Sequence, residues 1–144
     1  MVKQIMPNKS LILLMSYHHK NTEKIAKTIA NVIDAQIKSP QQISPDEIAQ
    51  YDLIGFGSGI YDGHHHKKLL DFADQLPQVK NKKAFLFSTF GAPKLIANRE
   101  FVLKNHLILK EKLLKKGFQV IEEFGCAGFN TNSFLVKFGG LNKG

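Results

Sequence analysis

Blocks of apolar and polar residues along the chain predict strands and helices in alternation. Five apolar runs have the length and composition of strands buried in a sheet: residues 10–15, 35–38, 52–58, 83–88 and 119–124. Between them, apolar residues recur with the spacing of an amphipathic helix in three segments: residues 22–33, residues 66–75 and a long segment ending near residue 116. Strands that alternate with helices predict an α/β domain with a doubly wound parallel sheet. We expect one such domain over residues 1–144.

The long third helix carries the clearest apolar stripe. Its helical spacing predicts a buried face of four residues: Val102, His106, Leu109 and Leu113. We expect three leucines to lie alongside and complete that buried face: Leu103, Leu107 and Leu114. Because His106 falls within the apolar stripe, we interpret it as a core histidine rather than a ligand.

Composition and charge narrow the class of protein. A chain of 144 residues with 43% apolar content can bury one sizeable core. One cysteine, Cys126, excludes an internal disulfide, and the sequence has neither a signal-peptide pattern nor a membrane-spanning run, so we expect a cytoplasmic protein. The formal net charge of +8 favours anionic partners. Nucleic acid is the least favoured of these because no helix-turn-helix, zinc or aromatic-sheet signature accompanies the charge.

Three loops of similar character follow the first, third and fourth of the five predicted strands. They are residues 16–22, 58–63 and 88–91. Each strand ends in serine and each loop holds an aromatic residue, while the second and third loops also contain glycine. The carboxyl ends of parallel strands meet at one edge of a sheet, where ligands bind. Hydroxyl groups and the first N–H groups of a helix can hold a phosphate, and aromatic rings beside glycine suit a planar ligand. The three loops therefore predict a site for a planar aromatic ligand that carries a phosphate.

The other residues with reactive side chains do not indicate a metal site or a catalytic site. Three consecutive histidines at residues 64–66 cannot all face one metal ion, so we interpret them as a polar helix entry at the rim of the site. Cys126 is predicted to be a small buried residue because no defined base accompanies it. Since no general acid and base pair stands out, no catalytic residue is predicted and hydrolysis is set aside.

With these segments in view, the chain resembles the short, single-domain flavodoxin-like proteins over residues 10–144. The resemblance rests on residues 16–26, 57–61, 64–70, 87–91, 116–118 and 125–129. It implies a five-stranded parallel sheet in the order 2-1-3-4-5, noncovalently bound FMN, and transfer of one or two electrons.

The resemblance also implies roles for individual residues. Matching positions would hold the phosphate of FMN: Ser16, His18, Asn21 and Thr22, with Lys20 able to add a charge-assisted contact. Others would flank the isoalloxazine ring: Ser58, Gly59, Ile60, Tyr61, Thr89, Phe90 and Gly91. Tyr61 and Phe90 could stack on the ring, and a backbone carbonyl near Ser58 or Gly59 could accept a hydrogen bond from it.

Three features depart from the flavodoxin pattern. Lys20 stands where many flavodoxins have glycine, and the segment after the fifth strand, residues 125–144, has no helical stripe. We therefore expect the last helix of the fold to be lacking, its face covered by the tail or by a second subunit in a homodimer. The positive charge predicts a less negative redox potential than that of acidic flavodoxins, and an acidic-surfaced redox partner.

Three functions remain open at this point. The leading hypothesis is an FMN-dependent electron carrier. The second is an FMN-dependent reductase that transfers electrons from NAD(P)H to a quinone, which needs a face for a second substrate. The third is a flavodoxin-like binding module without flavin, which the lysine at position 20 and the missing helix keep under consideration.

Overall fold

The computed structural model describes residues 9–16, 21–90 and 98–127 and confirms the predicted α/β sheet. Its strands are β1 (Ser10–Met15), β2 (Gln36–Lys38), β3 (Leu53–Tyr61), β4 (His64–His65), β5 (Lys83–Phe90) and β6 (Gln119–Ala127). Its helices are α1 (Asn21–Ile33), α2 (Lys67–Asp74), α3 (Arg99–Lys115) and a 3₁₀ helix, Pro45–Gln50. The long strands are parallel and follow the order β2-β1-β3-β5-β6, which matches the expected 2-1-3-4-5 arrangement because the short β4 lies off this path.

The core consists of two apolar layers, one on each face of the sheet. On one face, Phe85 and Phe87 of β5 pack with buried residues of α1 such as Ile25 and Ile29. On the other face, Leu86 packs with buried residues of α2 and α3. Successive side chains of a strand point to opposite faces, so strands covered on both faces need apolar residues at nearly every position. This requirement explains why the strands read as unbroken apolar runs in the sequence.

One expectation about α3 is wrong. The four residues of the predicted stripe are buried, but Leu103, Leu107 and Leu114 are exposed. A residue next in sequence to a buried one is rotated by about 100° around the helix axis. The sheet covers only one side of α3, so these three leucines turn away from it.

Two of the predicted loops begin later than expected because β3 and β5 continue beyond their serines. Gly59 of β3 pairs with Thr89 of β5, and Phe90 pairs with Ala127 of β6. β3 then folds back on the short strand β4 through a two-residue turn, in which Asp62 and Gly63 have φ angles of 53° and 83°. Positive φ at both turn residues is the geometry of a type I′ hairpin, for which Asp-Gly is a preferred sequence. The expected glycine-bearing loop is therefore an ordered hairpin.

The remaining expectation about the fold lies beyond this description. The predicted lack of a last helix concerns residues 128–144, which fall outside the described residues. Within the described ranges, no helix is both long and apolar enough to cross a membrane.

Replacing Gly57 with alanine is expected to lower the free energy of unfolding by about 1 to 3 kcal/mol. A Cβ atom at this position of β3 would overlap the ring of Phe87 in β5, which is fully buried and cannot move aside. Gly59→Ala is the matched control in the same strand, since its nearest contact would be the movable Tyr61 hydroxyl at 3.3 Å. Urea unfolding of the two variants measures the difference, and equal stabilities would contradict the expectation.

Candidate functional site

The carboxyl ends of three neighbouring strands lie side by side at one edge of the sheet. Met15 at the end of β1 is in register with Ser58 of β3, and Ser58 is in register with Ser88 of β5. Ser16 follows β1 directly, and α1 begins at Asn21. The structure therefore brings together the described parts of all three sequence-predicted segments, next to the positive end of the α1 dipole.

A hydrogen bond between two threonines joins the first of these segments to the third. Thr22, the second residue of α1, has its Oγ1 2.6 Å from Oγ1 of Thr89 near the end of β5. Thr22 is buried and Thr89 is half-buried. Whichever hydroxyl donates, the other keeps its own proton for a further acceptor. The pair can therefore serve an anionic oxygen at this edge.

Two of the three serines that follow the strands, Ser58 and Ser88, form hydrogen bonds within the protein. Ser58 Oγ donates to the Gly59 carbonyl at 2.6 Å and accepts from the His66 N–H at 3.0 Å. Ser88 Oγ lies 2.7 Å from Nε2 of His106. Both hydroxyls are buried on the side of the sheet that α2 and α3 cover, so Ser58 can meet a ligand only through its backbone.

The two aromatic residues expected to flank a planar ligand are half-buried at the same edge. The Tyr61 ring stands edge-on to His66, with centroids 5.2 Å apart. Phe90 makes a similar edge contact with Phe101 of α3, also at 5.2 Å. Between the two aromatic residues, Gly59 carries no side chain, which leaves the backbone open to close approach.

Beneath this edge runs a buried polar chain that sequence reasoning did not assemble. Ser88 Oγ contacts Nε2 of His106 at 2.7 Å, and Lys110 Nζ lies 2.9 Å from Oε2 of Glu123. Nδ1 of His106 and Oε1 of Glu123 are 3.2 Å apart, a close contact without the angles of a hydrogen bond. Burial alone would raise the pKa of Glu123, but His106 and Lys110 together hold the pKa of this carboxyl below its usual range. The order hydroxyl, imidazole, carboxylate also occurs in hydrolases. Here Ser88 is only 1% exposed, so a substrate has no access to it.

A second buried imidazole, His65 of β4, packs against His106 with ring centroids 4.7 Å apart. Its Nε2 is 3.1 Å from the Phe87 carbonyl, and since a carbonyl only accepts, Nε2 carries the proton. Nδ1 is buried and has no hydrogen-bond partner among the described residues. Burial and the adjacent His106 lower the pKa of His65 to about 3. The ring is therefore neutral near pH 7 and fastens the hairpin that carries Ile60 and Tyr61 to β5.

Several predicted site residues are placed by these contacts, and others are not described. Thr22, Ser58, Gly59, Ile60, Tyr61, Thr89 and Phe90 lie at the shared edge, and Ser16 lies at the end of β1. Three fall outside the described residues: His18, Lys20 and Gly91.

Sequence reasoning missed the part played by His65 and Glu123. Glu123 stands in the apolar run of β6, and a charged residue at such a position indicates a buried partner. His106, in the apolar stripe of α3, is that partner, so the two signals together would have suggested the pair.

Comparison with known proteins agrees with this architecture. The model of a protein family described as "Flavodoxin domain" matches residues 12–128. An uncharacterised protein of Methanocaldococcus jannaschii is 52% identical over 137 residues, which cover 94% of this chain and 85% of that protein.

Solved structures share the fold at low sequence identity. The flavodoxin of Streptococcus pneumoniae TIGR4 superposes with a TM-score of 0.74 at 12% identity and covers 93% of this chain and 95% of its own. Oxidised Flavodoxin 1 of Bacillus cereus has a TM-score of 0.69 at 23% identity and covers 94% of this chain and 95% of its own.

Proposed function

Because the chain belongs to the flavodoxin domain family, we propose that it binds FMN noncovalently and works as an electron-transfer protein. The observation that carries this proposal is the Thr22 to Thr89 hydrogen bond of 2.6 Å. It joins two of the three segments at the edge where α1 begins. An anion held there would meet two kinds of donor, namely side-chain hydroxyls and the N–H groups at the start of α1.

The residues at this edge suit the chemistry of FMN. The phosphate end needs donors, and we assign this role to the N–H groups at the start of α1 and, as the sequence predicts, to Ser16 and Thr22. We assign His18, Lys20 and Asn21 to the same end by their positions in the sequence. When bound, FMN supplies the redox chemistry by taking up and releasing one or two electrons.

The other end of the ligand is planar and largely apolar, and the residues proposed to flank it match that character. They are Ser58 through its backbone, Gly59, Ile60, Tyr61, Thr89, Phe90 and Gly91. Tyr61 and Phe90 exclude water from the ring, and Gly59 permits close approach of the backbone. The Gly59 carbonyl accepts from Ser58 Oγ, so its orientation is coupled to the start of α2.

The net charge of +8 bears on the choice of partner. Basic side chains stabilise the anionic reduced cofactor, so we expect a less negative potential than in acidic flavodoxins. They also favour a redox partner with an acidic surface. A redox titration of the FMN-loaded protein tests this part separately, and a potential as low as that of an acidic carrier would contradict it.

Removing the Thr22 hydroxyl is expected to weaken FMN binding about tenfold, which corresponds to about 1.4 kcal/mol. In Thr22→Val, the shape of the side chain is kept while one donor at the edge is lost. Thr28→Val is the matched control, because the Thr28 hydroxyl donates to the Lys24 carbonyl of the same helix, about two turns from its start. Quenching of flavin fluorescence during titration with FMN gives the dissociation constants.

The wild-type protein provides the primary test of the proposed function. We expect retained flavin absorption after excess FMN is removed, together with quenched fluorescence. A folded protein that leaves added FMN fully fluorescent would contradict FMN binding. Equal affinities for the Thr22 and Thr28 variants would instead contradict the placement of the phosphate at this edge.

A further inference from the structure

The exposed side of α3 carries a row of apolar residues that the described part of the chain does not cover. The three leucines of this leucine stripe, Leu103, Leu107 and Leu114, are 36%, 48% and 50% exposed. They recur on one side of the helix together with Lys110, at intervals of four, three and four residues. This is the spacing of residues that form the seam between two packed helices.

Lys110 interrupts the apolar row in sequence, but its charge is directed elsewhere. Its ammonium group lies 2.9 Å from Oε2 of Glu123 in β6. This contact draws the charged end toward the last strand of the sheet and leaves the methylene stem alongside the leucines. Among the described residues, the leucine stripe therefore lies on the outer side of the domain and is open to a second helix.

The two borders of the leucine stripe differ. Along one border the helix packs against the sheet, where His106 and Leu113 are fully buried. The other border carries Lys104 and Glu111, about two turns apart on the same side of the helix. Neither of them forms an ion pair within the described part of the chain. The open border thus carries charges of both signs, and these two residues supply one of each.

We propose that the leucine stripe is an interface between two copies of this chain, with their α3 helices packed antiparallel. With the twofold axis between Leu107 and Lys110, Leu103 of each copy meets Leu114 of the other. The same arrangement sets Lys104 of each copy beside Glu111 of the other, so two opposite-charge pairs form on the open border. A parallel twofold arrangement would turn the open borders of the two helices to opposite sides of the pair, so Lys104 of one copy could not meet Glu111 of the other. The charges therefore favour the antiparallel pair, whose surface is self-complementary.

The size of the interface sets its expected strength. One helix per subunit buries less than the roughly 800 Å² per partner of a standard stable interface. We therefore expect a reversible dimer that forms in the micromolar range rather than an obligate one. This inference does not depend on FMN binding, because it uses only the exposed residues of α3 and the contact of Lys110 with Glu123.

Charge reversal on the open border gives a direct test by sedimentation equilibrium. Lys104→Glu and Glu111→Lys are each expected to raise the dimer dissociation constant at least tenfold, because each places like charges together twice. The double variant is expected to restore it, since the pairs are then reversed but opposite, and the net charge is again that of the wild type. Lys80→Glu, in an exposed loop, is the control that changes the net charge as Lys104→Glu does.

Three results would overturn the proposal. The first is a wild-type protein that stays monomeric up to about 1 mM, far above the expected range, which would mean that another segment or another partner covers the leucine stripe. The second is a dimer that neither single reversal weakens, which would place the contact on another surface. The third is a double variant no tighter than the singles, which would contradict the antiparallel pairing. Circular dichroism and thermal unfolding verify that each variant is folded.

Discussion

Replacing Glu123 with alanine is expected to lower the free energy of unfolding by about 2 to 3 kcal/mol. The Glu123 carboxylate is 4% exposed and is the shared partner of His106 and Lys110. Its removal leaves Nδ1 of His106 buried without an oxygen beside it and frees a lysine that the carboxylate holds against the sheet. A buried group that loses its partner keeps the cost of its own desolvation, which is why the expected loss is large.

The neighbouring residue provides the control for this experiment. Glu122 lies next to Glu123 in β6 and pairs with Arg99 at 3.5 Å, with about half of the Arg99 side chain exposed to solvent. Exposed ion pairs contribute little, so we expect Glu122→Ala to cost less than about 1 kcal/mol. Urea unfolding at pH 7 measures both variants. Losses of equal size would mean that the buried polar chain does not contribute to stability as its geometry indicates.

Acidification is expected to destabilise the protein through His65. Its pKa is about 3 when folded, compared with 6.5 for an unperturbed histidine, because it is buried and lies beside His106. Between these two values the unfolded chain binds a proton that the folded chain does not. Stability is therefore highest above pH 6.5 and falls by up to about 1.4 kcal/mol for each pH unit as the pH decreases toward 3.

A variant that cannot titrate at this position isolates the effect. His65→Gln retains an N–H that can donate to the Phe87 carbonyl, but it binds no proton in this range. We expect its unfolding free energy to depend less steeply on pH between 6.5 and 4 than that of the wild type. His64→Gln, at the half-buried neighbouring position, keeps the His65 ring and is the control, so its slope should exceed that of His65→Gln. Parallel slopes for all three proteins would refute the assignment to His65.

The two experiments probe a part of the structure that also supports the candidate site. His65 belongs to the hairpin that carries Ile60 and Tyr61, and Ser88 lies one residue before Thr89. His65 joins the hairpin to β5 through the Phe87 carbonyl, and it packs on His106 of the buried polar chain. Together these contacts fix the hairpin and the end of β5 relative to each other. If acid loosens this contact, FMN affinity should decrease over the same pH range as stability.

Much of the fold could be predicted from the sequence because the signal is local and repeated. Unbroken apolar runs mark strands covered on both faces, and the spacing of Ile25, Ile29 and Val32 predicts an apolar face of α1, of which the two isoleucines are buried and Val32 is half-buried. The alternation of these elements restricts the topology to a parallel sheet with right-handed crossovers. The three polar segments could be assigned to one edge for the same reason, since parallel strands end on the same side.

Other features depend on which surfaces meet, and the sequence alone did not decide them. Helical spacing does not show how wide a face the sheet covers, so the exposure of Leu103 and Leu107 became apparent only from the packing of α3. Ser58 and Ser88 follow apolar runs and suggest ligand hydroxyls, yet each is bonded to a residue from another element. The Asp-Gly turn was a local signal for the hairpin, but its attachment to β5 depends on His65 reaching the Phe87 carbonyl.

The sequence by itself therefore determined the order and type of the elements and the edge of the sheet where the three polar segments meet. Only the tertiary structure decided which hydroxyls remain available there and which groups are paired inside. The physical reason is that secondary structure follows from periodicity along the chain, whereas the pairing of Glu123 with His106 and Lys110 follows from the contact of β6 with α3. That contact places charged groups from two elements in one buried space, where each requires a partner.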